Sequence, residues 1–212
     1  MDALRSPPIE PTVYTVGHSN HPIDQFIQLL NRNGITAIAD VRSNPYSRYQ
    51  PQFNREELKR ALRSAGIDYV FLGNELGARS PDPSCYVGGR VQYSRLAAAE
   101  SFKAGLDRVV KGSQSRHIAL MCAEKEPLEC HRTLLVGQAL HGIGVPLTHI
   151  HANGDQEPHE LALMRLLDIT GLPQEDMFRS RDELLAEALR IQEQRVAYVD
   201  EQMASGRDKE QR

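Results

Sequence analysis

Short apolar runs alternate with amphipathic stretches along the first three quarters of the chain. The apolar runs predict five β-strands, over residues 13–16, 35–41, 68–72, 117–121 and 147–151. Apolar residues at helical spacing predict helices over 22–30, 55–65 and 93–110, and from Pro127 to about Gly142 or Gly144. This alternation is typical of parallel strands joined by right-handed crossovers. We therefore expect an α/β fold with an open, mainly parallel five-stranded sheet flanked by helices, of the Rossmann-like or flavodoxin-like type.

Proline, glycine and capping residues predict where several helices begin and end. Pro22 suits a first helical position, and Gly34 suits the end of the same helix. Asn54 and Glu57 have the spacing of a capping box for the second helix. Residues 73–91 are rich in Gly, Pro and Ser and show no periodicity, which predicts a lid or a binding loop.

The pattern divides the chain into four parts. Residues 1–11 contain three prolines and are predicted to be a flexible leader. The α/β domain is expected over 12–155, followed by a C-terminal helical extension over 156–204 with helical patterns at 160–168 and 182–203. Residues 205–212 are predicted to be a disordered tail. The extension offers a surface for a homodimer, although the sequence leaves the oligomeric state open.

Composition narrows the class of protein. A content of 40% apolar and 25% charged residues is that of a globular protein, and the net charge of −3 gives no overall attraction to nucleic acid. The N-terminus lacks the basic and apolar segments of a signal peptide, and no apolar run is long enough to cross a membrane. Three cysteines cannot all pair within one chain, which favours a reducing, cytoplasmic location.

Polar side chains follow four of the predicted strands at the point where each strand ends. Because the carboxyl ends of parallel strands lie along one edge of a sheet, we expect these side chains to line one cleft. Several such groups together favour a site, since polar groups are costly in a core. They are His18 and Ser19, Asp40 and Arg42, Cys122 and Glu124, and His149 and His151.

Taken singly, these residues also have structural explanations. His18 could cap the helix that follows it, and Asp40 could form a structural ion pair with Arg42. Cys122 could be a small buried apolar residue, as free cysteines commonly are. The sequence alone does not choose between these roles and catalytic ones.

The two thiols of the segment CAEKEPLECHR suggest cysteine chemistry. Cys130 precedes a predicted helix and lies beside His131 and Arg132, a setting that lowers the pKa of a thiol. Phosphatases and sulfurtransferases place an arginine at a fixed spacing after their nucleophile. Neither Cys122 nor Cys130 reproduces that spacing, so a thiolate enzyme is a hypothesis without a motif.

A metal site is a weaker alternative. Cys122, Cys130 and His131 are zinc-ligand types, and His149 and His151 add two imidazoles. Their spacing matches no familiar zinc pattern, and the sequence contains no C-x-x-C pair. A metal is therefore not favoured, and the identity of any cofactor stays open.

Arginine and aromatic residues are concentrated in the loops. Residues 42–55 hold Arg42, Tyr46, Ser47 and Arg48 and no acidic residue, while the longer loop adds Arg79 and Tyr93. Guanidinium groups bind phosphate in a bidentate fork, and aromatic faces stack on bases. These loops fit a nucleotide or a nucleic-acid end, and otherwise they are solvated loops.

Four blocks of this sequence resemble the signature of the family called domain of unknown function 488. The blocks are TVGHSN, DVRSNPYSR, NELGARS and CAEKEPLECHR, and the resemblance spans about residues 13–155. It implies a cytosolic α/β domain with one shared pocket, and it supplies no reaction. The positions to which the pattern carries over are His18, Ser19, Asp40, Arg42, Pro45, Ser47, Arg48, Gly77, Cys122, Glu124, Cys130, His131 and Arg132.

The leading hypothesis is an enzyme that cleaves or transfers at a glycosidic or phosphoester bond. Glu124 would be the nucleophile or the general acid/base, with Asp40 as second carboxylate or as the group that orients His18. Anion binding is assigned to Arg42, Arg48 and Arg132, and further substrate contacts to Ser19, Tyr46, Ser47 and His131.

Two other hypotheses remain open. One is a sulfur-transfer or redox enzyme that uses Cys122 or Cys130. The other is a non-catalytic module that binds a nucleotide or nucleic acid. The expected partner is thus a phosphorylated or nucleotide-like small molecule, or nucleic acid, and no membrane is expected.

Overall fold

The computed structural model describes residues 12–205, and a six-stranded sheet forms their centre in the order β3-β2-β6-β1-β7-β8. Its strands are β1 (Val13–Gly17), β2 (Ala37–Asp40), β3 (Asp68–Phe71), β6 (Ile118–Cys122), β7 (Leu147–Ile150) and β8 (Gln156–Pro158). A separate two-stranded hairpin comprises β4 (Tyr86–Val87) and β5 (Arg90–Val91). The predicted α/β class and parallel sheet are confirmed.

The predicted number of strands in the sheet is wrong. β8 adds a sixth strand, antiparallel to β7, with His149 opposite Glu157. A turn at Gly154, which has a φ of 95°, reverses the chain between the two strands. β8 consists of two polar residues and Pro158, so it shows no apolar alternation that would predict a strand. The sheet therefore continues beyond residue 155.

Helices cover both faces of the sheet. They are α1 (Ile23–Arg32), α2 (Arg55–Ser64), α3 (Gly73–Leu76), α4 (Tyr93–Ala98), α5 (Glu100–Ser113), α6 (Gln138–Gly142), α7 (His159–Thr170), α8 (Arg181–Val196) and α9 (Glu201–Ser205). Three 3₁₀ turns cover Pro51–Phe53, Pro83–Cys85 and Pro127–Glu129, and a π-helical segment, Arg132–Gly137, runs directly into α6.

Two apolar clusters lie between the sheet and the helices, one on each face of the sheet. Ile38 of β2 packs with Phe26 and Leu58 from α1 and α2 on one face. Ala39 of the same strand belongs to the cluster on the other face, which also contains residues of α5, α7 and α8. The helices that follow the adjacent strands β1 and β6 thus leave toward opposite faces. Such a switch point opens a crevice at the carboxyl ends of the strands.

Several predicted helix boundaries are corrected by the structure. Asn54 precedes α2, but its side-chain oxygen accepts from the Ser47 amide at 2.7 Å and makes no capping bond to the helix. The predicted helix over 93–110 is two helices, because Ala99 is extended (φ −67°, ψ 138°). Residues 73–91, predicted to be irregular, include α3 and the β4–β5 hairpin.

The C-terminal helices pack on the α/β layers. α8 begins with a capping box between Ser180 and Glu183. The helix buries Leu184 and Ala188, and Gln192 donates to the carbonyl oxygen of Leu128 at 2.9 Å. The pattern over 182–203 predicted one helix, but α8 ends at Val196 and a short extended segment precedes α9.

Two sequence predictions lie at the ends of the chain. The predicted leader, 1–11, lies outside the described residues, as does the predicted tail apart from Ser205, which ends α9. Within residues 12–205, none of the helices has the length and apolar character needed to cross a membrane.

Candidate functional site

A cavity of about 310 Å³ opens at the carboxyl ends of β2 and β6. Its wall combines thiols, carboxylates, guanidinium groups and tyrosine rings. The residues that matter for its chemistry are Arg42, Tyr46, Arg79, Tyr93, Cys122, Glu124, Glu129, Cys130, His131 and Tyr198. The cavity therefore lies at the edge of the sheet where the sequence predicted a cleft.

The loop after β6 is held against the end of β1 by backbone contacts. The amides of His18 and Ser19 donate to the carbonyl oxygens of Cys122 and Ala123, both at 2.9 Å. A Cβ atom at Gly17 would lie 1.9 Å from the carbonyl oxygen of Glu124, so only glycine fits there. This close approach fixes the backbone that presents Glu124.

Arg132 reinforces the same loop from the inside. The side chain is fully buried, and its guanidinium group donates to the carbonyl oxygens of Glu124 at 2.7 Å and Lys125 at 3.3 Å. Arg132 is not among the residues that line the cavity. The structure therefore gives this arginine a role in shaping the loop, whereas the sequence hypothesis assigned it to binding an anion.

Two thiols, an imidazole and a carboxylate meet at the floor of the cavity. Sγ of Cys130 lies 3.0 Å from Oε2 of Glu124 and accepts the Arg132 amide at 3.4 Å. Nδ1 of His131 lies 3.7 Å from Sγ of Cys122 and 3.8 Å from Sγ of Cys130. Both thiols are free and buried. The structure thus brings together these four residues, which the sequence singled out.

The orientation of the His131 ring follows from its second nitrogen. Nε2 lies 3.0 Å from the carbonyl oxygen of Val41, and a carbonyl oxygen only accepts. Nε2 therefore carries a hydrogen, and Nδ1 is directed at the two sulfur atoms. Val41, the residue after β2, thus positions the ring of His131, which lies beyond β6.

The charges in this cluster depend on one another. Burial opposes ionisation of Cys130, but its interactions with Cys122 and the charges of Arg132 and His131 outweigh burial and lower its pKa well below the usual value. The interaction with Cys130, together with burial, raises the pKa of Cys122. Cys130 is therefore the thiol that ionises first.

The carboxyl group of Glu124 lies within hydrogen-bond distance of the Cys130 sulfur. Partial burial of the carboxyl group and the adjacent Cys130 raise the pKa of Glu124. At 3.0 Å, a thiol at Cys130 donates to a carboxylate, and a protonated Glu124 donates to a thiolate. Glu124 is also exposed to solvent, so it can exchange this proton with a molecule in the cavity.

Asp40 and Arg42 form a buried bidentate pair. Nε and Nη2 of Arg42 donate to the two carboxylate oxygens of Asp40 at 2.9 and 2.6 Å. Asp40 also accepts from the hydroxyl of Tyr69 at 2.8 Å, and Arg42 donates to the carbonyl oxygen of Phe53 at 2.9 Å. The Asp40 carboxylate is fully buried and does not line the cavity, so its geometry fits the structural ion pair.

His18 is fixed in one neutral form. Its ring stacks on Phe53 with centroids 4.1 Å apart, and Nδ1 donates to the carbonyl oxygen of Ser19 at 2.9 Å. Nε2 then accepts from Nη1 of Arg42 at 3.2 Å. Burial and the charge of Arg42 lower the pKa of His18 to about 4. Arg42, and not Asp40, thus orients this imidazole.

Of the three substrate-binding residues predicted in the loop after β2 beyond Arg42, only one lines the cavity. Tyr46 lines the cavity, but Ser47 and Arg48 are not among its lining residues. The hydroxyl of Ser47 accepts from the backbone amides of Tyr49 and Gln50, both at 3.2 Å. Arg48 lies over the ring of Tyr49, 5.3 Å from its centroid.

His149 of β7 and His151, which follows that strand, are not part of the thiol cluster. His149 is fully buried, accepts from the Thr15 hydroxyl at 2.8 Å and contacts His159 at 3.0 Å. His151 pairs with Glu157 at 2.9 Å. Of the five weak metal candidates, the structure therefore groups Cys122, Cys130 and His131 and leaves out His149 and His151.

Part of the cavity wall was not predicted from the sequence. Tyr198 lies in the extended segment after α8, and the guanidinium carbon of Arg79 lies 4.4 Å from the centroid of its ring. Glu129 adds a second carboxylate to the lining. Arg79 was already singled out in the longer loop, whereas no local pattern marks Tyr198 or Glu129.

Comparison with known proteins gives one match. A family model described as domain of unknown function DUF488 matches residues 22–139. This region runs from the start of α1 into α6 and contains all four residues of the cavity floor. No curated protein and no solved structure matches the chain.

Proposed function

Since this chain belongs to the DUF488 family, whose description names no activity, we propose a function from the cavity itself. The protein is an enzyme that binds a phosphate-bearing, nucleotide-like molecule at the strand ends and hydrolyses or transfers at its glycosidic or phosphoester bond. Glu124 moves the proton in this reaction. A cytoplasmic location is part of the proposal, because all three cysteines are free thiols.

The observation that supports the proposal best is the composition of one cavity wall. A carboxylate able to transfer a proton, Glu124, lines the same 310 Å³ space as two guanidinium groups and three tyrosine rings. The volume is in the range of small-ligand sites. Guanidinium groups bind phosphate, and tyrosine rings stack on planar groups such as bases.

Arg42 and Arg79 differ in how many N–H groups they have free to bind an anion. Four of the five N–H groups of Arg42 already donate to Asp40, Phe53 and His18, which leaves one N–H for a ligand. Arg79 forms no ion pair within 4.0 Å with any acidic residue of the described chain, and it lies over Tyr198. Arg79 is therefore the main phosphate-binding group of this proposal.

Ligand-dependent thermal unfolding tests the binding part of the proposal. AMP, ribose 5-phosphate and adenosine are compared on the wild type, on Arg79→Ala and on Arg63→Ala, which changes an exposed residue of α2 outside the cavity. A ligand at about a hundred times its dissociation constant stabilises by about 2.7 kcal/mol.

We expect AMP to stabilise the wild type and Arg63→Ala, and to stabilise Arg79→Ala much less. Adenosine, which lacks the phosphate, should have a weak effect. Absence of stabilisation by both phosphate compounds, or an equal effect on Arg79→Ala, would overturn the proposed ligand class. A single-stranded oligonucleotide in the same assay tests whether the phosphate belongs to a nucleic-acid end.

A cysteine-thiolate transfer or redox enzyme is the second candidate. The specific observation is that Sγ of Cys130 accepts the Arg132 amide at 3.4 Å and lies beside His131, contacts that stabilise a thiolate. Alkylation of Cys130 by iodoacetamide at neutral pH, compared with Cys85 in the same protein, tests it. A thiolate nucleophile requires faster alkylation at Cys130, and equal slow rates would remove this candidate.

A further inference from the structure

Three side-chain atoms of the kinds that bind zinc face one another at the floor of the cavity. Sγ of Cys122, Sγ of Cys130 and Nδ1 of His131 all lie within 4.8 Å of one another. From their arrangement we infer that the protein binds one zinc ion, or a divalent ion of similar chemistry, between these three residues.

The distances fit a tetrahedral ion. Zinc–sulfur and zinc–nitrogen bonds of about 2.3 and 2.05 Å at a tetrahedral angle separate the sulfur from the nitrogen by about 3.6 Å. The two Sγ–Nδ1 distances of the protein are 3.7 and 3.8 Å. The two sulfur atoms, which lie within 4.8 Å of each other, need a separation of about 3.8 Å on such an ion. The sulfur–nitrogen distances thus already suit an ion, and rotation of the cysteine side chains sets the sulfur–sulfur distance.

The groups around the three ligands favour metal binding. Nε2–H of His131 donates to the carbonyl oxygen of Val41 at 3.0 Å, so in the neutral ring, the form that binds a metal, the lone pair is on Nδ1. Zinc-binding histidines are held by this kind of outer hydrogen bond. The amide of Arg132 donates to Sγ of Cys130 at 3.4 Å and would stabilise the thiolate.

The donor set also selects the kind of ion. Two thiolates and one imidazole suit zinc, whereas magnesium and calcium prefer oxygen ligands. Two thiolates neutralise the charge of a divalent ion, so the buried site as a whole carries no net charge that would oppose its burial. Cys122 and Cys130 are both buried, with 3% and 2% of their surface exposed.

Three protein ligands leave a fourth position open, which is typical of catalytic zinc. Glu124 lines the same cavity, and its Oε2 lies 3.0 Å from Sγ of Cys130, one of the three ligands. This step rests on the proposed function: a water on the ion attacks phosphorus or the anomeric carbon, and Glu124 accepts its proton. The bond to the leaving group breaks, and Glu124 returns the proton to that group, so no further reactant is needed.

Cobalt titration of the reduced, untagged protein tests the inference. Cobalt(II) replaces zinc in such sites and gives thiolate charge-transfer bands and intense visible bands when the site is tetrahedral. We expect one equivalent of cobalt to bind with these bands and zinc to displace it. Absence of the thiolate bands at saturating cobalt would overturn the inference.

Variants assign the ligands. Cys122→Ser, Cys130→Ser and His131→Gln should each weaken cobalt binding by about tenfold or more. Cys85→Ser is the matched control, because Cys85 is also a buried free thiol but lies in the 3₁₀ turn Pro83–Cys85. Circular dichroism of each variant verifies folding. Equal cobalt binding by the ligand variants and the wild type, or equal loss in Cys85→Ser, would contradict the assignment.

The failure of this inference can be distinguished from the failure of the proposed function. Thermal unfolding with AMP is measured in a chelator and again with zinc. If cobalt does not bind but AMP still stabilises through Arg79, the metal site is overturned and the ligand class stands. If cobalt binds and AMP has no effect under either condition, the metal site stands and the ligand class is overturned.

Discussion

Nε2 of His131 donates to the carbonyl oxygen of Val41 at 3.0 Å, and this contact joins the end of β2 to the segment after β6 through residues that are 90 apart in sequence. It sets the tautomer of the ring and directs Nδ1 at the sulfur atoms of Cys122 and Cys130. The end of β2 therefore determines the geometry of a cluster whose members all follow or end β6.

Replacing Gly17 tests how tightly the loop of Glu124 is held. Gly17→Ala should lower the free energy of unfolding by about 3 kcal/mol or more, because the added Cβ would lie 1.9 Å from the Glu124 carbonyl oxygen. Urea denaturation gives the value. Gly142→Ala is the control, since a Cβ there meets no atom within 4 Å and should change stability by less than about 1 kcal/mol. Equal effects of the two substitutions would refute the close approach.

Asp40→Asn tests the structural role of the buried ion pair. Removing the charge leaves the guanidinium group of Arg42 buried without its partner, so we expect a loss of about 3–5 kcal/mol in the free energy of unfolding. Tyr69→Phe removes only one hydrogen bond to Asp40 and should cost about 1 kcal/mol. If Asp40→Asn were no more destabilising than Tyr69→Phe, the carboxylate would be free for another role.

Glu124→Gln separates proton transfer from folding and metal binding. The amide is nearly isosteric and cannot accept the proton, so release of phosphate or adenine from AMP should fall by about 10²–10⁴-fold. The cobalt spectrum and thermal stability should stay close to those of the wild type. Glu56→Gln, an exposed change on α2, is the matched control. Full activity of Glu124→Gln would assign proton transfer to another group.

The buried histidines of β7 and α7 predict acid sensitivity. Burial lowers the pKa of His149 from 6.5 to about 2, and that of His159 to about 4. Below pH 6.5 the unfolded chain binds a proton that buried His149 does not, so stability is retained above this pH and falls as the pH drops. The charged and titratable groups that act on the pair are Arg132, His141, His151, Glu157, Glu160 and Arg165.

The size of this effect can be measured. Between about pH 7 and about pH 5, His149 should account for about 2 kcal/mol of the loss in the free energy of unfolding. His149→Gln removes the titrating group, so its stability should depend less steeply on pH over this interval. Equal pH dependence of the variant and the wild type would show that His149 titrates normally in the folded protein.

The convergence of the site could be predicted because it depends on topology. Residues at the carboxyl ends of parallel strands meet at one edge, so the sequence placed Cys122 and Glu124 near the loop after β2 without any three-dimensional information. β8 could not be predicted, since Gln156–Pro158 is a short polar edge strand held by pairing with β7.

The roles of individual arginines were harder to predict from the sequence. Arg42 and Arg132 were both predicted to bind an anion. The direction of the Arg42 side chain depends on partners that include residues distant in sequence, and that of Arg132 depends on a folded loop. Arg42 donates most of its N–H groups to Asp40 and His18. Arg132 donates to the carbonyl oxygens of Glu124 and Lys125. Tyr198 reaches the cavity only because the chain continues past α8 in extended form.

Protection of the cysteines from alkylation tests the central claim, which is that the ligand binds above the thiol cluster. The reduced protein is treated with iodoacetamide in the presence of a chelator, with and without AMP, and each cysteine is quantified by peptide mass spectrometry. Our expectation is that AMP slows alkylation of Cys122 and Cys130, which line the cavity, and leaves alkylation of Cys85 unchanged. Unchanged alkylation of Cys122 and Cys130 at saturating AMP, or equal slowing at all three cysteines, would contradict it.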